Sequence, residues 1–177
     1  MKIILGTMLI FCSVAVNAQN NRGLIFNKEL KILVGTWEGK VVYTDPKKNN
    51  AQVILTARLE VIDLTDSLKL SFIYTDPDGK ETRDSSTLCI YDKEDKLRID
   101  HGLYDIVSTV RKGPAMEVVG ERQGYDNILE AGFDPRLKAD FRQIITYGAT
   151  NLNIVKELRY TENEYYFIRS RSAFTKK

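Results

Sequence analysis

Side chains suited to acid–base or nucleophilic chemistry are scarce in this chain. His101 is the single histidine, and Cys89 is the only cysteine apart from Cys12 near the start. An imidazole exchanges protons near neutral pH, and a thiolate is a strong nucleophile. No motif joins the two, and the chain contains no serine-nucleophile elbow, zinc-protease helix motif or glycine-rich phosphate loop. Whether the protein is an enzyme stays open, and the missing motifs argue against it.

His101 lies in the stretch RIDHGLY, directly before Gly102. One interpretation is a histidine in a turn or at a strand end. The other is a base or metal ligand at the mouth of a pocket, and a metal site would need two or three carboxylates from elsewhere in the chain. Because the spacing supplies no such set, we predict no metal site and no cofactor. A pair of carboxylates at the separation used by hydrolases also stays open.

Two polar side chains, Gln143 and Lys156, interrupt rows that are otherwise apolar. If both segments are strands, alternate residues share a face. The first row is then Phe141, Gln143, Ile145 and Tyr147, and the second is Leu152, Ile154, Lys156, Leu158 and Tyr160. A buried polar group needs a partner or a ligand, so both are candidates for an internal site. A bulge in either strand would turn them outward.

Aromatic residues occur on most of the predicted strands. They either fill a core or line a cavity in which tyrosine hydroxyls hold the polar end of a ligand. The candidate ligand contacts are therefore Tyr74, Gln143, Tyr147, Lys156 and Tyr160.

The elements that must position these side chains are mostly strands. The segment AQVILTARLEVID alternates apolar and polar residues, and Pro77 to Gly79 form a turn before the next strand. Residues 24–34 have helical spacing and end at Gly35. Short connections and regular turn signals predict an all-β, antiparallel, up-and-down barrel of about 8–10 strands after a short N-terminal helix. A sandwich is the alternative.

The corner at Gly35, Trp37 and Gly39, in the stretch GTWEG, resembles the first strand of the calycin group, the lipocalin-like barrels. That resemblance implies that Trp37 closes one end of the barrel. It also implies an arginine near the end of the last strand that packs over the tryptophan, and Arg169 and Arg171 are the candidates. A tyrosine motif typical of lipocalins has only a partial match in GYDN, at residues 124–127.

The same stretch is similar to the nitrobindin-like barrels, which bind haem through a histidine late in the chain. Here the single histidine lies mid-chain. We therefore predict that this haem site is absent.

The N-terminus, MKIILGTMLIFCSVAVNA, has a basic start, an apolar run and compact residues before Ala18. This pattern is typical of a signal peptide, so we predict a signal peptide over 1–18 and one lipocalin-like domain over 19–177. The protein would then be exported, to the periplasm or the extracellular space. The apolar run is shorter than the roughly 20 residues of a spanning helix, so we expect no membrane span after cleavage.

The chain has 26 basic and 24 acidic residues, which are interspersed. This balance argues against a nucleic-acid partner, which requires a basic face. Cys89 has apolar neighbours and, after signal cleavage, no second cysteine, so we expect it to be buried.

Taken together, these patterns favour an exported protein that binds a small apolar or amphipathic molecule inside a barrel. An envelope protein with a structural or interaction role and no small ligand is the alternative. An enzyme that acts on a small molecule with the same barrel is a further one.

Overall fold

The computed structural model describes residues 27–45, 51–91, 93–125, 138–161 and 163–177. The predicted signal peptide, the start of the predicted helix, and Asp126 and Asn127 of the GYDN stretch lie outside the described residues.

The described chain is almost entirely strand. A short helix, α1 (Asn27–Leu30), leads into a 3-10 turn (Lys31–Leu33). Ten strands follow: β1 (Gly35–Asp45), β2 (Ala51–Asp63), β3 (Leu68–Thr75), β4 (Glu81–Tyr91), β5 (Lys96–Ile99), β6 (Gly102–Lys112), β7 (Ala115–Tyr125), β8 (Lys138–Tyr147), β9 (Asn151–Tyr160) and β10 (Phe167–Lys176).

The strands form one closed antiparallel barrel. Each strand pairs with the next along the chain, and β1 closes the ring by pairing with β10. Closure removes the exposed edges that an open sheet would carry. The predicted all-β, up-and-down barrel is confirmed, with ten strands. No helix of the described residues is long and apolar enough to cross a membrane.

Alternation along each strand decides which side chains face the interior. In β2, Leu55, Ala57, Leu59 and Val61 are buried, whereas the residues between them are exposed. Residues paired directly across two strands lie on the same side of the sheet. The interior can therefore be followed from strand to strand through the register of the pairs.

One end of the interior is filled with apolar side chains. Leu33 and Trp37 are fully buried there, and the Trp37 indole N–H donates a hydrogen bond of 2.8 Å to the Leu33 carbonyl. Gly39 lies where β1 meets β10, and a Cβ at this position would come within 1.9 Å of the Ala173 carbonyl oxygen. The chain from the 3-10 turn through Gly39 therefore closes this end, which we call the closed end.

The structure places Lys176 beside Trp37, a cation that the sequence did not single out. Lys176 pairs with Trp37, and its Nζ lies 5.4 Å from the indole ring centre. Arg171 pairs with Val42, further along β1, and is exposed. Arg169 falls at a register shift between Ile168 and Ser170, so the alternation that should give the two arginines one face is broken there.

β5 is much shorter than its neighbours, and this interrupts the strand pairing on one side. It pairs with only Cys89 to Tyr91 of β4, and β6 pairs with β7 only as far as Glu121. Among the described residues, 81–88 of β4 therefore pair only with β3, and 122–125 of β7 pair only with β8. We call the interval between these two segments the ladder gap.

Candidate ligand site in the barrel interior

A row of directly paired residues crosses the interior about halfway along the barrel. It runs through Tyr43, Ser170, Lys156, Gln143 and Gly120, on β1, β10, β9, β8 and β7. We call these five residues the polar row. Because each pair shares a face and Gln143 is buried, the row faces the interior. The two polar residues predicted separately from two strands are thus cross-strand partners.

Gln143 is the most deeply buried polar residue of this row. Its relative exposure is 2%, and its side-chain oxygen Oε1 has no hydrogen-bond partner in the structure. A buried acceptor without a donor costs about 1–3 kcal/mol. A ligand that carries a hydrogen-bond donor would remove that cost.

Lys156 faces inward and is nevertheless 44% exposed along its side chain. Its ammonium forms an ion pair with Asp100, which lies on the turn between β5 and β6. The partner thus comes from a strand connection that is not adjacent to β9 in the sheet, so the ion pair spans the interior. An inward side chain that keeps this much accessible surface indicates that solvent reaches the interior at the polar row.

The backbone conformation of Asp100 and a hydrogen bond from its backbone N–H fix the position of this residue. It has a φ of 54°, in the left-handed region that aspartate adopts more readily than most residues. Its backbone N–H donates a 2.7 Å hydrogen bond to Ser86 Oγ, and Ser86 is buried on β4. The turn therefore aims the carboxylate at Lys156, next to the ladder gap.

Tyr74 faces the interior on β3, partly buried, with its ring stacked 5.6 Å from that of Phe72. Burial raises the pKa of the Tyr74 phenol well above its ordinary value of 10.0, and the carboxylates of Asp84 and Asp100 raise it further. The neutral hydroxyl is therefore the stable form near neutral pH, available both to donate and to accept a hydrogen bond.

The remaining two tyrosine candidates lie at opposite ends of the barrel. Tyr160 pairs with Ala139 near the end opposite the closed end, which we call the open end, and its ring packs 5.7 Å from that of Phe167. Tyr147 pairs with Met116 and Leu152 on the filled side of the polar row and is 2% exposed. The structure thus places Tyr147 and Tyr160 on opposite sides of the polar row, and of the five candidates only Gln143 and Lys156 are direct partners.

Sequence reasoning missed Arg122, which the structure places inside the barrel. It pairs with Phe141, one step from Gln143 towards the open end. Its guanidinium carbon lies 4.0 Å from the centre of the Phe141 ring and 5.3 Å from that of Tyr104. The signal was available, because Met116, Val118, Gly120 and Arg122 alternate along β7 and share one face.

The residues first considered for catalysis do not join this group. His101 is exposed on the β5–β6 turn. Cys89 is buried, as expected, and its thiol donates to the Asp66 carbonyl at 3.2 Å. Within the described residues, no group of three or more His, Cys, Asp or Glu side chains is arranged to hold a metal ion.

Grooves on the outside of the barrel differ from this interior site in their lining. A groove of about 670 Å³ across β2, β3 and β4 is bordered mainly by outward-facing polar residues, including Arg58, Glu60 and Arg83. Arg58 is already paired there, with Glu81 at 3.0 Å. This groove is open to solvent, so it encloses less of a ligand than a pocket does.

The barrel fold is shared with a protein of known structure. No family model matches the chain, and no curated protein matches it. The crystal structure of Rv2717c from M. tuberculosis matches with a TM-score of 0.58 and 11% sequence identity. The match covers 85% of this chain and 96% of that one. A likeness at this identity shows the barrel fold alone.

Proposed function

We propose that this protein is a lipocalin-like binding protein that holds a small amphipathic molecule in the solvent-accessible half of its barrel. The observation that carries the proposal is the inward-facing Lys156, whose side chain remains 44% exposed in the middle of a closed barrel. A filled interior would cover this side chain, as it covers Trp37 and Leu33 at the closed end.

The walls around the polar row suit an amphipathic molecule better than a purely apolar one. Tyr43, Val53, Tyr74, Ile106 and Phe141 are partly buried and pack against the core. Tyr43 pairs directly with Ser170, and Phe141 lies two residues from Gln143 on the same face of β8. Binding sites are commonly apolar with a few placed polar groups that fix orientation. The half that is already filled limits the ligand to a small molecule.

Ligand binding is tested by filling the site from within. Ser170→Phe places a ring in the polar row, whereas Ala173→Phe places the same ring on the outward, exposed side of β10. We expect a neutral solvatochromic dye such as Nile red to bind the unaltered protein and Ala173→Phe, and to bind Ser170→Phe at least tenfold more weakly. Equal binding by the two variants would place the dye outside the barrel and contradict the proposal.

A further inference from the structure

We infer that the ligand is an organic anion whose carboxylate binds Arg122. This inference rests on the proposed cavity and names the chemical class of its ligand. It starts from a cation inside the barrel that has no carboxylate partner among the described residues.

Arg122 differs in its partners from Lys156 and Lys176, two other cations that face the interior. Lys156 is neutralised by Asp100, and Lys176 donates to the Ile32 carbonyl at the closed end. No ion pair joins Arg122 to any carboxylate of the described residues, and its Nε is buried without a hydrogen-bond partner. Among the described residues, the rings of Tyr104 and Phe141 lie next to its guanidinium.

Three glycines make room for this arrangement. A Cβ at Gly102 would come within 2.4 Å of the Tyr104 ring, and one at Gly120 within 2.8 Å of the Tyr104 Cβ. A Cβ at Gly124 would come within 2.8 Å of Arg122 Nη1. The backbone therefore carries no side chain on either side of the Tyr104 ring or beside the guanidinium. The two rings can then pack against the guanidinium of Arg122 without using its N–H donors.

A guanidinium held by ring stacking keeps its donors for a planar anion. Its N–H groups match the two oxygens of a carboxylate, and a flat guanidinium stacks on aromatic faces as an ammonium does not. Arg122 also borders the ladder gap, where residues 122–125 of β7 pair only with β8 among the described residues. A ligand that enters there would meet Arg122 with its head group and the walls near the polar row with its apolar body.

The test compares two ligands with the same body and different head groups, 4-phenylbutyrate and its neutral amide, by displacement of Nile red from the purified full chain. We expect the carboxylate to bind at least about tenfold more tightly than the amide, as a charge-assisted hydrogen bond allows. Arg122→Gln should abolish this preference and leave the affinity for the amide within about threefold. Arg171→Gln, an equal change of charge on the outer face, should keep it.

Gly124→Ala provides a second variant that keeps the charge. The added methyl group displaces the guanidinium, whose end is flexible, and should reduce the preference even if Arg122→Gln folds poorly. If dye and amide bind but the carboxylate has no advantage, or keeps it in both variants, the inference is overturned and the cavity proposal stands. If neither dye nor ligand binds, the cavity proposal fails and the inference fails with it.

Discussion

Gln143 illustrates a trade-off between a polar ligand site and the stability of the ligand-free barrel. Its Oε1 is buried and unpartnered, whereas its neighbours in the row are partly accessible or paired. A site for a polar ligand often leaves such groups unsatisfied until the ligand arrives.

Gln143→Leu is expected to stabilise the ligand-free protein. The leucine has a similar volume and removes the unsatisfied acceptor, so the free energy of unfolding should rise by up to about 1–3 kcal/mol in a denaturant titration. Gln123→Leu, an exposed position on β7, is the matched control and should change it by less than about 0.5 kcal/mol. A marked loss of stability in Gln143→Leu would mean that Oε1 has a partner after all.

The burial of Tyr147 can be tested by measuring how the stability of the protein depends on pH. Burial raises its pKa to about 12, and the carboxylate of Glu29 contributes in the same direction. In the unfolded chain the phenol ionises near its ordinary value of 10.0. The stability that comes from the neutral phenol is therefore fully present below that value and is lost as the pH rises towards the folded-state pKa.

Unfolding titrations above pH 10 should consequently show a smaller loss of stability in Tyr147→Phe than in the unaltered protein. The hydroxyl is buried without a partner, so the substitution should cost little near neutral pH. Tyr125→Phe, which is exposed, serves as the control. Identical slopes for all three proteins would show that Tyr147 ionises as if it were accessible.

At the scale of elements, the closed end depends on the approach of β1 to β10. Gly39 pairs with Phe174 on one side and Ala57 on the other, and no side chain fits between its Cα and the backbone of β10. Gly35 has a φ of 131°, which favours glycine and allows the chain to turn from the 3-10 segment into β1.

Gly39→Ala is expected to destabilise the barrel by more than about 2 kcal/mol, because the new Cβ would collide with the Ala173 carbonyl, which is backbone and cannot rotate away. Lys40→Ala, the outward neighbour, should change the stability little. The measurement is the midpoint of thermal unfolding of each variant, compared with that of the unaltered protein. Equal midpoints would show that the two strands separate at no cost and that closure at this point is weak.

At the scale of the whole molecule, the pattern of alternation predicted most of the fold. The apolar face of β2 and the inward positions of Gln143 and Lys156 follow from period-two spacing alone. The ion pair between Asp100 and Lys156 does not follow from this spacing, because their contact exists only once the ring has closed. The register shift at Arg169 could not be predicted from the sequence either, since a bulge adds one residue without a distinctive local sequence.

Export remains a proposal about the whole chain. We expect protein recovered from the periplasm or medium of expressing cells to begin at Gln19, one residue after the proposed cleavage site. Mass spectrometry of the intact protein measures this directly. A product that retains Met1 and sediments with membranes would instead indicate an uncleaved anchor.

The pairing of β1 with β10 also has a consequence for the order of folding. Trp37 lies opposite Lys176, so the contacts that complete the ring join the two ends of the described chain. The backbone N–H groups of Lys176 and Lys177 bond the carbonyls of Thr150 and Thr36, which fixes the last strand at both neighbours. Contacts this distant in sequence carry a large loop-closure entropy and form slowly. Until β10 docks, β1 and β9 are both open strand edges, so we expect the interval before docking to be when this chain is most exposed to edge-to-edge aggregation.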